Sequence, residues 1–139
     1  MTNIEWTDRT WNPIVGCQSV SPGCANCFAA RLAATRLKHL SLYALTAEID
    51  HRGRPQWTGN VGVAEERLTD PLRWRKPRLV FPCDISDLFY DEVPDAIRRA
   101  IVGVMILAPQ HVFQALTKRP QAARVWFAAN TPNQCLEAA

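Results

Sequence analysis

The sequence lacks any long apolar run and any strong charge of one sign. Its longest apolar stretch, residues 100–109, is far shorter than the ~20 residues that a membrane-crossing helix needs. Sixteen Lys and Arg stand against thirteen Asp and Glu, a net of +3, too small an excess to point to nucleic acid or an anionic membrane surface. The start is polar, with Glu5 and Asp8, and shows no secretory leader, so a cytoplasmic protein with no membrane partner is expected. There is no internal repeat and no low-complexity tract, which excludes solenoids and linker-like chains. An even cysteine set is also missing. There are five cysteines, three of them within residues 17–27, and an odd set in a reducing compartment argues against a disulfide framework and for metal binding or catalysis.

What remains is an ordinary globular composition, 139 residues with 47% hydrophobic and 21% charged, enough for one domain with its own core. Residues 4–14 read as a short strand running into a loop at Asn12-Pro13. Residues 17–27 are loop chemistry, rich in the turn formers Gly16, Ser19, Ser21, Pro22, Gly23 and Asn26. Helical spacing follows over residues 25–40 through Phe28, Leu32, Thr35 and His39. The cysteines therefore lie on a loop that feeds a helix N-terminus, whose partial positive charge favours thiolates.

Residues 51–60 read as a polar loop and 61–67 as a short strand. Asp70-Pro71 reads as a helix start and 79–82 as a buried strand. A clear amphipathic helix over 95–107 has Pro94 at its entry. Residues 111–116 read as a strand with Thr117-Lys118-Arg119-Pro120 as its exit, then 121–129 as a helix. The domain is expected over residues 1–129, with 130–139 a disordered tail. Strands alternating with helices predict an α/β fold with a mostly parallel sheet of about four strand–helix units. In such sheets ligands gather at the carboxyl ends of the strands. Three features fall at expected strand ends: the cysteine loop, residues 83–87, and residues 117–119.

The cysteines are spaced Cys-x6-Cys-x2-Cys at Cys17, Cys24 and Cys27. A Cys-x2-Cys pair on a turn places two sulfurs on one side of a small ion or cluster, and the third closes the site from the far end of the loop. Structural zinc takes four closed ligands, whereas three thiolates leave a coordination position open. A zinc reading survives with His39 as fourth ligand, folded back along the helix from Cys27.

Around these cysteines, Glu5-Trp6-Thr7, Thr10-Trp11-Asn12-Pro13, Gly16-Cys17, Ser21-Pro22-Gly23-Cys24 and Asn26-Cys27 follow one another. Ser86-Asp87-Leu88-Phe89, Val93-Pro94, Ala108-Pro109-Gln110-His111 and Leu116-Thr117-Lys118-Arg119-Pro120 come later. In this order they resemble a phage-associated family of radical-SAM-like proteins with a three-cysteine motif, whose biological role is unassigned. The resemblance runs from about residue 4 to residue 120. The first cysteine gap is longer than the common Cys-x3-Cys-x2-Cys spacing, and that family shares the longer gap. The resemblance implies the N-terminal part of a (β/α) partial barrel of radical-SAM type. It also implies a [4Fe–4S] cluster held by Cys17, Cys24 and Cys27, with S-adenosylmethionine bound to the unique iron and cleaved on one-electron reduction. A flavodoxin- or ferredoxin-like reductant is implied as partner, and Phe28 matches an aromatic position beside the cluster. The strand–helix units are fewer than such a barrel carries, so a chain truncated at its C-terminus, with activity reduced or lost, is expected.

Other residues carry two readings each. Asp84, Ser86 and Asp87 either contact the ribose or amino group of the cofactor or make a capped, solvated acidic turn. Lys118 and Arg119 either pair with a ligand carboxylate or phosphate or open a solvated helix. Glu65 and Glu66 read as surface residues with a weaker claim on the cofactor's amino group. Cys83 and Cys135 read as packing residues. The basic stretch Arg73, Arg75, Lys76 and Arg78 with Trp74 reads as a solvated face, with nucleic-acid contact as the alternative. The rival to the whole radical reading is a non-catalytic metal-binding module. No motif names a catalytic residue or a substrate.

Overall fold

A computed structural model describes residues 4–139, so the first three residues of the expected 1–129 domain lie outside the described ones. The expected N-terminal strand divides at Asn12-Pro13 into β1 (Arg9–Trp11) and β2 (Ile14–Val15). A 3-10 turn at Pro22–Cys24 precedes α1 (Phe28–Ala34). Then come β3 (Ala47–Ile49), β4 (Pro55–Trp57) and β5 (Gly62–Val63), a second 3-10 turn at Glu65–Arg67, and α2 (Asp70–Arg73). The last part of the chain holds β6 (Leu79–Pro82), α3 (Asp95–Leu107), β7 (Val112–Phe113), α4 (Pro120–Ala129) and α5 (Pro132–Ala138).

The fold is mixed α/β. Strands β1, β6 and β7 form a three-stranded parallel sheet in the order β1-β6-β7. Parallel neighbours need a crossover, and α3 supplies it between β6 and β7. Its apolar face carries Ile101 and Val104, both fully buried. Against it lie Trp11, Val80, Leu88, Phe89 and Trp126 in the main hydrophobic cluster. Arg98 is buried on the same helix and donates to the carbonyls of Leu88, Tyr90 and Val93 at 2.9–3.2 Å, which fixes the segment after β6.

Several expectations are corrected. Four parallel strand–helix units were expected, but the strand expected over 61–67 pairs antiparallel with β2 and lies outside the parallel sheet. The helix expected over 25–40 stops at Ala34. The β-branched Thr35 follows, and its hydroxyl donates to the Arg31 carbonyl at 2.7 Å, after which the chain runs in turns. The loop expected over 51–60 contains β4, paired antiparallel with β3. The tail expected to be disordered forms α5. Thr131 and Gln134 make a reciprocal capping box with Pro132 at the first turn, and Cys135 is buried against α3. That docking needs Gly103, where an added Cβ would meet the Cys135 carbonyl oxygen at 2.1 Å.

Among the described residues, no helix is long and apolar enough to cross a membrane.

Candidate functional site

Three segments leave the sheet at its carboxyl edge, and they meet there. β1 leads through β2 to Gly16. The Gly16 N–H donates to the Ile85 carbonyl at 3.0 Å and forms a parallel bridge with Ser86. Gly16 has φ +96°, and a Cβ there would lie 2.1 Å from the Asn60 carbonyl oxygen, so only glycine fits. The cysteine loop starts at the next residue.

β6 ends at Pro82, which has no N–H to give the ladder, and the Cys83 N–H donates to Trp11 O at 2.8 Å instead. Cys83 then takes φ +60°, and it is the one non-glycine with positive φ among the described residues. Such a conformation costs of order 1–3 kcal/mol, and it turns residues 84–87 across the strand end. β7 leads to Leu116, Thr117, Lys118 and Arg119.

The three exits enclose a cavity of about 340 Å³. Cys17, Cys24 and Cys27 line it together with Asp84, Ser86, Asp87, Lys118 and Arg119, so every residue expected at the site is brought to one place. Apolar wall comes from Val20, Trp57, Phe81 and Leu116. Each of the three cysteines is half-buried and free of a disulfide. Cys27 is also the residue before α1, where Ala29, Ala33 and Ala34 pack inward. Phe28 does not face this interior: it is 62% exposed.

Asp87 organises the polar side. Its carboxylate is buried and accepts from the Phe89 N–H at 3.0 Å, the Thr117 hydroxyl at 2.8 Å, the Lys118 N–H at 3.0 Å and Arg119 Nη1 at 3.1 Å. Arg119 also donates through Nη2 to the Gln18 carbonyl at 2.8 Å and through Nη1 to Cys17 Sγ at 3.6 Å, and its guanidinium lies over the Tyr90 ring. Lys118 Nζ approaches Cys24 Sγ at 3.6 Å. The Ser21 hydroxyl stands 3.8 Å from the same sulfur.

These surroundings separate the thiols. Burial opposes the Cys24 thiolate, but hydrogen bonds at Val20 and Ser21 and the Lys118 charge outweigh it, bringing the pKa down to about 7. Cys17 is held above the ordinary thiol value because burial prevails over the Arg119 contact. Cys83, fully buried, is pushed up strongly by burial and stays a neutral thiol. Asp84 is also raised by burial, against the hydrogen bond that Asn12 Nδ2 donates to its Oδ1. Ser86 Oγ and Asn12 Oδ1 are buried without a hydrogen-bond partner among the described residues.

Other candidates fall elsewhere. His39 is exposed in the turns after α1 and does not line the cavity. Among the described residues, no three His, Cys, Asp or Glu side chains converge on a single ion site. A tetrahedral zinc would need its sulfurs about 3.8 Å apart. Glu65 and Glu66 are exposed on the second 3-10 turn. Arg73, Arg75, Lys76 and Arg78 precede β6 and so lie toward the amino edge of the sheet, where Arg9 stacks over Trp74 at 4.6 Å. Cys135 belongs to α5 packing. Sequence reasoning missed Gln18, Trp57 and Tyr90. Trp57 sits in a hairpin hidden by Gly and Pro, and its only signal was a large aromatic inside an otherwise polar loop.

Residues 1–136 match a family described as "Protein of unknown function (DUF5131)", and the chain belongs to that family. No curated protein and no solved structure gives a match.

Proposed function

We propose that this member of a family of unknown function is an iron–sulfur protein of radical-SAM type. In this reading Cys17, Cys24 and Cys27 hold a [4Fe–4S] cluster, with S-adenosylmethionine beside it in the same cavity. The observation that carries the reading is the meeting of the three cysteines with the exits of two parallel strands around one cavity of about 340 Å³. Three cysteines leave one coordination position open, which suits the unique iron of a cluster better than a structural zinc with four closed ligands.

The donor set fits the group. Cys24 reaches its thiolate form near neutral pH, and cationic side chains lie beside the sulfurs of Cys17 and Cys24. Asp84 lines the same cavity, and its carboxyl suits a ligand with N–H or O–H donors, such as an amino group or a ribose. Val20, Trp57, Phe81 and Leu116 make the remaining wall apolar. When bound and reduced by one electron, the cluster supplies reductive cleavage of S-adenosylmethionine. A flavodoxin- or ferredoxin-like protein is the proposed electron source. The partial barrel of radical-SAM type belongs to the same proposal, supported by the parallel order β1-β6-β7 and the placement of the site at its carboxyl edge.

Anaerobic reconstitution with ferrous iron and sulfide tests this. The protein is expected to take up iron and sulfide in equal amounts and to show broad visible thiolate-to-iron absorption, with both lost in Cys24→Ala. A colourless protein with stoichiometric zinc would overturn the reading. A coloured protein that releases no methionine from S-adenosylmethionine under dithionite would keep the cluster and remove the radical chemistry.

A further inference from the structure

We propose that Lys118 and Arg119 form a cationic clamp on the cysteine loop, Arg119 positioning Cys17 and Lys118 facing Cys24, that sets the reduction potential of the group held there. The inference rests on the cluster reading above and gives these two residues a role different from binding a ligand's carboxylate or phosphate.

The guanidinium of Arg119 is already committed. Nη1 serves Asp87 at 3.1 Å and Cys17 Sγ at 3.6 Å, Nη2 serves the Gln18 carbonyl at 2.8 Å, and the Tyr90 ring covers one face at 4.7 Å. The Arg119 side chain is 11% exposed and that of Asp87 7%. With both Nη1 protons and one Nη2 proton engaged, the end-on edge of the guanidinium is taken, and the fork holds the first cysteine of the loop to the end of β7. Lys118 is exposed, and its ammonium lies 3.6 Å from Cys24 Sγ. The two consecutive residues therefore bring a donor and a positive charge to two of the three sulfurs.

Hydrogen bonds to the sulfurs and nearby charge tune cluster potentials, and donors or cations favour the state with the extra electron. In the test, dithionite delivers one electron to the oxidised cluster, with no proton taken up and no bond formed. Reconstituted full-length protein is titrated with dithionite and redox mediators, and the reduced fraction is read by electron paramagnetic resonance. Lys118→Met is expected to keep its circular dichroism and iron content while its midpoint moves to lower potential. Lys118→Glu should move it further the same way, and Lys118→Arg should restore it. Arg119→Lys keeps the charge but loses the fork, so a smaller shift is expected with weaker iron retention.

Wild-type midpoints in fully loaded Lys118→Met and Lys118→Glu would overturn the clamp and leave the cluster reading intact. The same holds if Lys118→Met only weakens S-adenosylmethionine binding, which would return Lys118 to a ligand contact. A wild-type protein that takes up no cluster overturns the reading and this inference together.

Discussion

The two hydrophobic clusters of this protein are built from different side chains. The one between the parallel sheet and its helices uses Trp11, Ile14, Val80, Leu88, Phe89, Ile101, Val104 and Trp126. The one behind the cysteine loop uses Ala29, Ala33, Ala34 and Ala47 with Val15, Tyr43 and Ile85. Burying a large aliphatic or aromatic side chain contributes about 1.5–3 kcal/mol, and a buried methyl far less. So the first region is held by packed volume. The second relies on close backbone approach and on polar ties to the first, chiefly the Asp87 network. The candidate site lies on the seam, with a rigid wall of strand ends facing a lightly packed cysteine loop.

Asp87→Ala should break this contrast most. It deletes the acceptor of four donors and leaves the largely buried Arg119 side chain without its carboxylate. Removing one partner of a buried pair costs about 3–5 kcal/mol, which urea denaturation should register as a lower midpoint. A loss below about 1 kcal/mol would mean that packing, not the network, joins the regions.

Within each region the expected costs differ. Ile101→Ala leaves a cavity in the first and should cost about 2–5 kcal/mol. Ala33→Gly, at a site just as buried in α1, should cost about 1 kcal/mol, mostly through helix propensity. Thermal unfolding of the two variants sharpens the comparison. Equal losses would show that the alanine cluster contributes as much as the aromatic one.

The same contrast explains what could be read in advance. Residues 79–82 and 95–107 were legible because strong periodicity and a flanking Pro94 agree with the tertiary packing. The residues expected at the site were placed at strand ends, and the sheet brings all of them to one cavity. The lightly packed region was harder. α1 is cut short by Thr35, whose hydroxyl bond to Arg31 no periodicity reveals, and the β3–β4 hairpin carries Pro55 and a Gly53 turn that read as plain loop. The cysteine loop was expected to draw its thiolate character from a helix N-terminus. With α1 only seven residues long, Cys24 draws it instead from hydrogen bonds at Val20 and Ser21, with the charge of Lys118 from the far side of the sheet added to them. A contact between residues 24 and 118 leaves no mark on local sequence. For α5 the signal was present, as Thr131-Pro132 with Gln134 three residues after the cap, and the polarity of the segment hid it.

The smallest expected effect tests whether the rigid wall carries a built-in cost. Burial holds the Asp84 carboxyl above its ordinary value of 3.8, against the hydrogen bond from Asn12. A carboxyl whose pKa is raised on folding adds stability only below that ordinary value, and loses it as pH climbs through the folded value. At neutral pH, then, ionised Asp84 works against the fold. Asp84→Asn keeps an acceptor for Asn12 and removes the charge. The metal-free variant should be more stable than wild type by about 0.5 kcal/mol at pH 7, a gain that fades as pH falls toward 3.8. Melting temperatures across that range check the sign, and a variant less stable at pH 7 would mean that the charge is held by partners rather than strained. A gain would show a carboxylate kept beside the strained Cys83 turn at the expense of stability, as a ligand-facing group is and a structural one is not.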